Sequence, residues 1–135
     1  MAPPLNTTLI TSVLPGAFAP VQTMNAIITD SVAGALTATP SGTQANALVL
    51  GAKSNSVSVV ATAGDAVRLP PAVAGSAVTI RNGAANAMNV FPASAAQGGV
   101  TGGDAINALA VNTAFSQVTG TVTYRCYVTG IWETA

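Results

Sequence analysis

Charged side chains are scarce in this chain of 135 residues. Lys and Arg together number 4, Asp and Glu together number 4, and the formal net charge is zero. About a quarter of an average soluble domain is charged, so this surface lacks most of the charge that keeps proteins apart. Affinity for nucleic acid comes mainly from clustered basic residues, whereas Lys53, Arg68, Arg81 and Arg125 are scattered. We therefore expect a surface largely covered by protein partners, and no nucleic-acid partner.

Residues that commonly carry catalysis or hold metals are also few. Histidine is absent and Cys126 is the single cysteine, which excludes an intrachain disulfide, a His/Cys metal site and a Cys-His nucleophile pair within this chain. Asp65 and Asp104 each follow a glycine, where capping of backbone amides in a turn is the expected role. The sequence predicts no catalytic, cofactor-binding or metal-binding residue, and hence no enzyme and no cofactor.

Long apolar runs and aromatic side chains are rare as well. No apolar run reaches the roughly 18 residues of a membrane span, so no membrane partner is expected. Aromatic residues make up 4% of the chain, although half of it is apolar, so the core must be built from Ala, Val, Ile and Leu. Trp132 is the largest apolar group present, and we expect it to cover one end of this core.

The chain does contain a series of short alternating segments separated by Gly, Pro and Asn. From Val57 to Pro92 this pattern predicts four strands, which are Val57 to Ala61, Ala66 to Leu69, Ala77 to Arg81 and Ala87 to Phe91. Turn signals such as Asn82-Gly83 stand between them. Short strands at this spacing predict an all-β fold, either a small antiparallel β-sandwich or a barrel.

Further strands flank this region. Leu48-Val49-Leu50 is expected to form the first strand of the β-domain, and Thr121 to Thr129 the last long one. Alternation along the last strand predicts one inward face, composed of Val122, Tyr124, Cys126 and Val128. Residues 93 to 103, ASAAQGGVTGG, contain few bulky groups and are interpreted as a mobile surface loop, with a binding loop as the alternative.

Two parts of the chain differ in composition. Residues 1–37 are predicted to form an extended N-terminal arm with a possible short helix over Val21 to Val32, a segment that suits a strand equally well; residues 38–135 are predicted to form the β-sandwich domain. Prolines at positions 3, 4, 15 and 20 favour broken, extended structure in the arm. It is either a frayed terminus or a segment lying across a neighbouring subunit. Its apolar residues are the candidate partner contacts: Leu5, Leu9, Ile10, Val13, Leu14 and Phe18.

Three segments together resemble a type of small protein found in tailed-bacteriophage structural gene clusters. They are GDAVRLPPAVAGSAVTIRNGAANAMNVFPAS, GDAINALAVNTAFS and VTYRCYVTGIW. The resemblance covers about residues 38 to 132 and leaves the arm outside. Ala95 to Thr101 departs from the pattern as additional loop.

The resemblance implies a non-enzymatic virion structural protein of the capsid decoration, or cement, type. Such proteins are commonly compact and often jelly-roll-like, and they bind the major capsid protein across subunit junctions as dimers or trimers. The implied location is the capsid surface, after synthesis in the cytoplasm of the bacterial host. A tail-fibre or head-fibre module is the alternative within virions. An adhesion or carbohydrate-binding module, with Tyr127 and the 93–103 loop as contacts, is the alternative outside them.

Overall fold

The computed structural model describes residues 31–135, and these residues form an all-β structure. The proposed arm contacts Leu5 to Phe18 and nearly all of the possible helix lie outside the described residues. Ten strands follow one another: β1 Val32–Thr37, β2 Leu48–Val49, β3 Ser54–Val59, β4 Ala66–Arg68, β5 Ala77–Asn82, β6 Met88–Phe91, β7 Ala105–Ile106, β8 Phe115–Gln117, β9 Gly120–Val128 and β10 Ile131–Thr134. Within residues 31–135 the one helical element is a single 3-10 turn, Ala95–Gln97, and no helix is long and apolar enough to cross a membrane.

Two mixed sheets are built by a chain that alternates between them. The six-stranded sheet has the order β1-β3-β5-β9-β10-β7, and the four-stranded sheet has the order β2-β4-β6-β8. Strands β1, β3 and β5 pair in parallel, as do β2, β4 and β6. Parallel neighbours cannot be joined by a tight hairpin, and here each crossover passes through the other sheet. The first six strands are therefore three stacked coils of a β-solenoid.

After β6 the stacking continues, but the direction of the added strands reverses. Strand β8 pairs antiparallel with β6, and β9 pairs antiparallel with β5. Strand β10 then forms an antiparallel hairpin with β9, and β7 lies parallel to β10. The all-β prediction is confirmed, but the arrangement is a solenoid of mixed sheets and not clearly an antiparallel sandwich or barrel.

Inward side chains of neighbouring coils lie in register. Leu48, Val67, Val90 and Phe115 occupy one row across all four strands of the smaller sheet. Val67 and Val90 are fully buried, whereas Leu48 and Phe115 at the two edges are partly exposed. Each coil thus covers the apolar side chains of the next, and within residues 31–135 this row is open to solvent at its two edge strands.

The strand positions predicted between Val57 and Phe91 agree with β3 to β6 to within a few residues. One neighbouring prediction requires correction, because Val32–Thr37, assigned to the arm, is strand β1 of the solenoid. At the predicted turn of Asn82-Gly83 the chain passes from the six-stranded sheet to the other one.

Trp132, which was expected from its size to cover one end of the core, is part of the buried core cluster. Its side chain is completely buried in strand β10, and the indole Nε1 donates a hydrogen bond to the Pro70 carbonyl at 3.3 Å. It packs within the same buried cluster as Leu69, Ile106 and Tyr124. Ile106 and Trp132 are also register partners in the parallel pair of β7 and β10. The indole therefore joins β10, and β7 beside it, to the rest of the core.

Candidate functional site

The two aspartates that follow glycine are buried and accept backbone hydrogen bonds. Asp65 Oδ1 accepts from the Ser41 amide at 3.1 Å, and Oδ2 accepts from the Thr62 amide at 2.9 Å. Asp104 Oδ2 accepts from the Ala72 amide at 2.8 Å. Its Oδ1 accepts from the Val100 amide at 2.9 Å. Each carboxylate connects its own turn to a distant segment of the chain, so the predicted capping role is confirmed for both.

A second buried polar network lies where β5, β8 and β9 meet. The Tyr124 hydroxyl donates to Gln117 Oε1 at 2.7 Å, and Gln117 Nε2 donates to the Ile80 carbonyl at 2.9 Å. Asn82 Nδ2 donates to the Gln117 carbonyl at 3.1 Å. The neutral amides and the phenol satisfy one another, so this network holds the three strands together. Cys126 lies nearby on the inward face of β9 and is buried, as predicted.

Because the Tyr124 phenol is buried, the stability of the protein is expected to depend on pH in the alkaline range. Burial raises the pKa of Tyr124 above its ordinary value of 10.0. The unfolded chain therefore releases this proton at a lower pH than the folded chain does. We expect the free energy of unfolding contributed by Tyr124 to be constant below about pH 10 and to fall as the pH rises above it. Urea denaturation followed by circular dichroism across this range measures the effect.

Substitution of each tyrosine isolates that effect. Tyr124→Phe should make the alkaline loss of stability shallower than in the wild type, while Tyr127→Phe, at an exposed position, is the matched control and should retain it. An alkaline loss as steep in Tyr124→Phe as in the wild type would show that other groups cause it.

The segment from residue 93 to residue 103 makes close contacts that its composition did not suggest. Ala93 and Gly103 are buried at its two ends, and the Ser94 amide donates to Gln97 Oε1 at 2.9 Å around the 3-10 turn. A methyl group added at Gly99 would lie 2.6 Å from the Ala93 carbonyl oxygen, and one at Gly103 would overlap the Asn112 amide. Gly99 and Gly103 are thus required by crowding, and contacts hold both ends of the segment, while mobility of its exposed middle stays a prediction.

An open cavity of about 360 Å³ lies at the start of the parallel strands of the six-stranded sheet. Leu50, Pro70 and Val78 form part of its wall, and Lys53 is the single charged residue among those that line it. A cation without a neighbouring acid or base offers no proton-transfer pair. Within the described range, 31–135, no cluster of three or more His, Cys, Asp or Glu side chains is placed to hold a metal ion.

Hydroxyl groups cover much of the outer face of the six-stranded sheet. Ser54, Thr79 and Thr123 form one row across three strands, and the Thr79 and Thr123 hydroxyls are 3.1 Å apart. In the next row Arg81 donates to Ser56 Oγ at 3.3 Å. Thr79 and Thr123, and likewise Arg81 and Ser56, bond to each other, so this part of the face is a polar surface of low charge.

The outer side of the hairpin formed by β9 and β10 has a different character. We define this hairpin face by its five exposed residues, Arg125, Tyr127, Val128, Ile131 and Glu133. The register between the two strands shifts between Arg125 and Val128, so a β-bulge places one extra residue in β9. A bulge reverses the alternation beyond it, which explains why Val128 is exposed although it was predicted to point inward. Tyr124 and Cys126, before that point, are buried as predicted.

Two further segments approach the end of this hairpin. The Gly130 amide donates to the Ala72 carbonyl at 2.9 Å, and the Ala74 amide donates to Thr129 Oγ1 at 3.2 Å. A methyl group at Gly130 would lie 2.9 Å from Val100. Val73 and Val100, both exposed, therefore lie close to the turn of the hairpin.

The hairpin face is the strongest candidate contact surface among the described residues. Sequence reasoning placed Tyr127 and Arg125 on an outward face, which the structure confirms. It missed Val128, because nothing in the spacing of apolar residues reveals a bulge. The outward position of Ile131 could be predicted, because side chains alternate along a strand and a buried Trp132 therefore places Ile131 on the outer face.

Comparison of this chain with protein-family models, with curated proteins and with solved structures finds no match.

Proposed function

We propose that this protein is a non-enzymatic virion structural protein that binds the capsid surface across subunit junctions and stabilises the shell. The observation that carries the proposal is a surface of very low charge, with 4 basic and 4 acidic residues in the chain, on which apolar side chains such as Val49 and Val118 are exposed outside the hairpin face as well. A protein with this little surface charge is poorly protected against association. Exposed apolar side chains on such a surface support contacts with protein partners.

The chemistry of the polar groups supports a binding role over a catalytic one. Asp65 and Asp104 are occupied by backbone amides, and Tyr124 is bonded within the core. None of these groups is left free to transfer a proton to a substrate. In this proposal the protein acts by burying area between capsid subunits, so that the shell resists the outward pressure of packaged DNA. Repetition of the contact around the shell adds avidity to individually modest interactions.

The partners in this proposal are the major capsid protein and further copies of the chain. Residues Leu5, Leu9, Ile10, Val13, Leu14 and Phe18 are proposed to contact a neighbouring subunit. No described residue tests that part of the proposal. Deletion of residues 1–20 from the recombinant protein separates a contact made by the arm from one made by the solenoid.

Purified virus particles provide the test. Mass spectrometry should detect the chain in particles from an infected culture, and cryo-electron microscopy should place density of its size on the shell at many equivalent positions. Particles assembled without it should take up the added recombinant protein and then resist heating better. Absence of the chain from particles, or failure of bare shells to bind it, would contradict the proposal.

A fibre module of the tail or head is the second candidate, and the open first coil favours it. In the residues described, β1 and β2 each pair on one side only, and such edges can receive strands from another chain. A fibre would contain intertwined homotrimers, present in a few copies at one vertex or at the tail. The same micrographs therefore distinguish the two candidates.

A further inference from the structure

We propose that the hairpin face is a two-fold interface between two copies of this chain. The inference concerns self-association alone and does not depend on the virion role, so a failed particle-binding experiment would leave it standing. It rests on three features of the face: its exposed apolar side chains, the bulge that exposes one of them, and the arrangement of its two charges.

The apolar part of the face is substantial for a protein of this size. Tyr127 is 67% exposed, Val128 is 59% exposed and Ile131 is 37% exposed. Val73 and Val100, which are also exposed, lie near the turn of the hairpin. Exposed apolar clusters of this kind commonly serve as contact sites. The bulge contributes directly, because it turns Val128 out of the interior and places it beside Ile131.

The arrangement of the two charges favours a second copy of the chain as the binding partner. Arg125 and Glu133 are register partners on adjacent strands and both are exposed. A two-fold axis running along the hairpin between β9 and β10 would place Arg125 of one copy over Glu133 of the other, and the reverse. The same axis would place Val128 over Ile131 of the second copy. A surface with one charge of each sign at equivalent positions is complementary to itself, which a two-fold interface requires.

The apolar residues obey the same symmetry. Val128 and Ile131 are register partners, as Arg125 and Glu133 are, so both pairs exchange across one axis. Tyr127 lies at the bulge between these two pairs and is exposed on the same face, and aromatic residues contribute strongly to binding. An unrelated partner would have to supply this pattern independently, whereas a second copy supplies it automatically.

Two charge reversals test the interface on the full-length chain. Arg125→Glu alone and Glu133→Arg alone each create two like-charged contacts per dimer. Sedimentation equilibrium at low salt should show the dissociation constant rise at least about tenfold in each. An equimolar mixture of the two variants should recover association, because every contact between unlike copies is then of opposite sign. Within each variant the neighbouring pair on β9 and β10 remains like-charged, so recovery in the mixture cannot arise inside one chain.

Arg81→Glu is the matched control, since Arg81 is exposed on the same sheet face in β5, and it should associate as the wild type does. Thermal unfolding of each variant verifies that it is folded. The proposal is overturned if the wild type remains monomeric at high concentration, if neither single reversal weakens association, or if the mixture associates no better than the separate variants.

Discussion

Replacing Trp132 with alanine is expected to lower the free energy of unfolding by about 3 to 5 kcal/mol. The indole is completely buried between the last strands and the solenoid. Its removal leaves a cavity that neighbours can only partly fill, and the Pro70 carbonyl loses the donor that lies 3.3 Å away. In a core with so few aromatic residues no other side chain has the volume to replace it.

Urea denaturation followed by far-ultraviolet circular dichroism measures this loss without depending on tryptophan fluorescence. Val118→Ala is the control, because Val118 is 67% exposed, and it should change the free energy of unfolding by less than about 0.5 kcal/mol. A Trp132→Ala protein as stable as the Val118→Ala protein would show that the indole does not hold the terminal strands in place.

Replacing Asp104 with alanine is expected to cost about 2 to 4 kcal/mol, since hydrogen bonds to charged groups are stronger than neutral ones and a buried donor left unpaired is penalised. Asp104 is fully buried and accepts from the amides of Ala72 and Val100. Ala72 is itself buried, so water cannot easily replace the lost acceptor. The same denaturation experiment measures this loss.

Two related variants make the prediction specific. Asp104→Asn keeps one carbonyl oxygen and should be intermediate in stability between the wild type and Asp104→Ala. Asp65→Ala removes an equivalent turn carboxylate, but its donors belong to the exposed residues Ser41 and Thr62. Its cost should therefore be smaller than that of Asp104→Ala. If Asp65→Ala proves the more damaging of the two, burial of the donor does not set the cost.

The sequence located most strands but could not show how they pair. Alternation of apolar residues marks the inward side of a strand equally in parallel and antiparallel sheets. Turn residues such as Asn82-Gly83 mark a change of direction without giving its angle. The parallel pairing of β3 with β5 follows from where the chain returns after passing through β4. Such a return is a property of the folded coil and has no local signal.

Features that depend on close contact between two segments could not be predicted from the sequence either. The bulge before Val128 depends on the match between β9 and β10, and neither strand shows it alone. The glycines of the 93–103 segment suggested flexibility, yet Gly99 is small because the Ala93 carbonyl approaches it. By contrast, the repeated Gly-Asp turn was readable, because an aspartate after glycine binds backbone amides through local geometry. Of the candidate contact surface, the sequence thus predicted Arg125 and Tyr127, which follow simple alternation, and missed Val128, which lies beyond the bulge.

Because the coils stack in parallel, the solenoid can be lengthened by the insertion of further coils. Duplication of one coil, such as the segment containing β3 and β4, would insert strands that pair in parallel with the neighbours already present. The reversed strands β8 and β9 would still close the far end. Each duplication would lengthen the molecule by about 4.8 Å, the spacing between strands. Gene duplication can therefore adjust the reach of such a protein in fixed steps while the hairpin face stays unaltered.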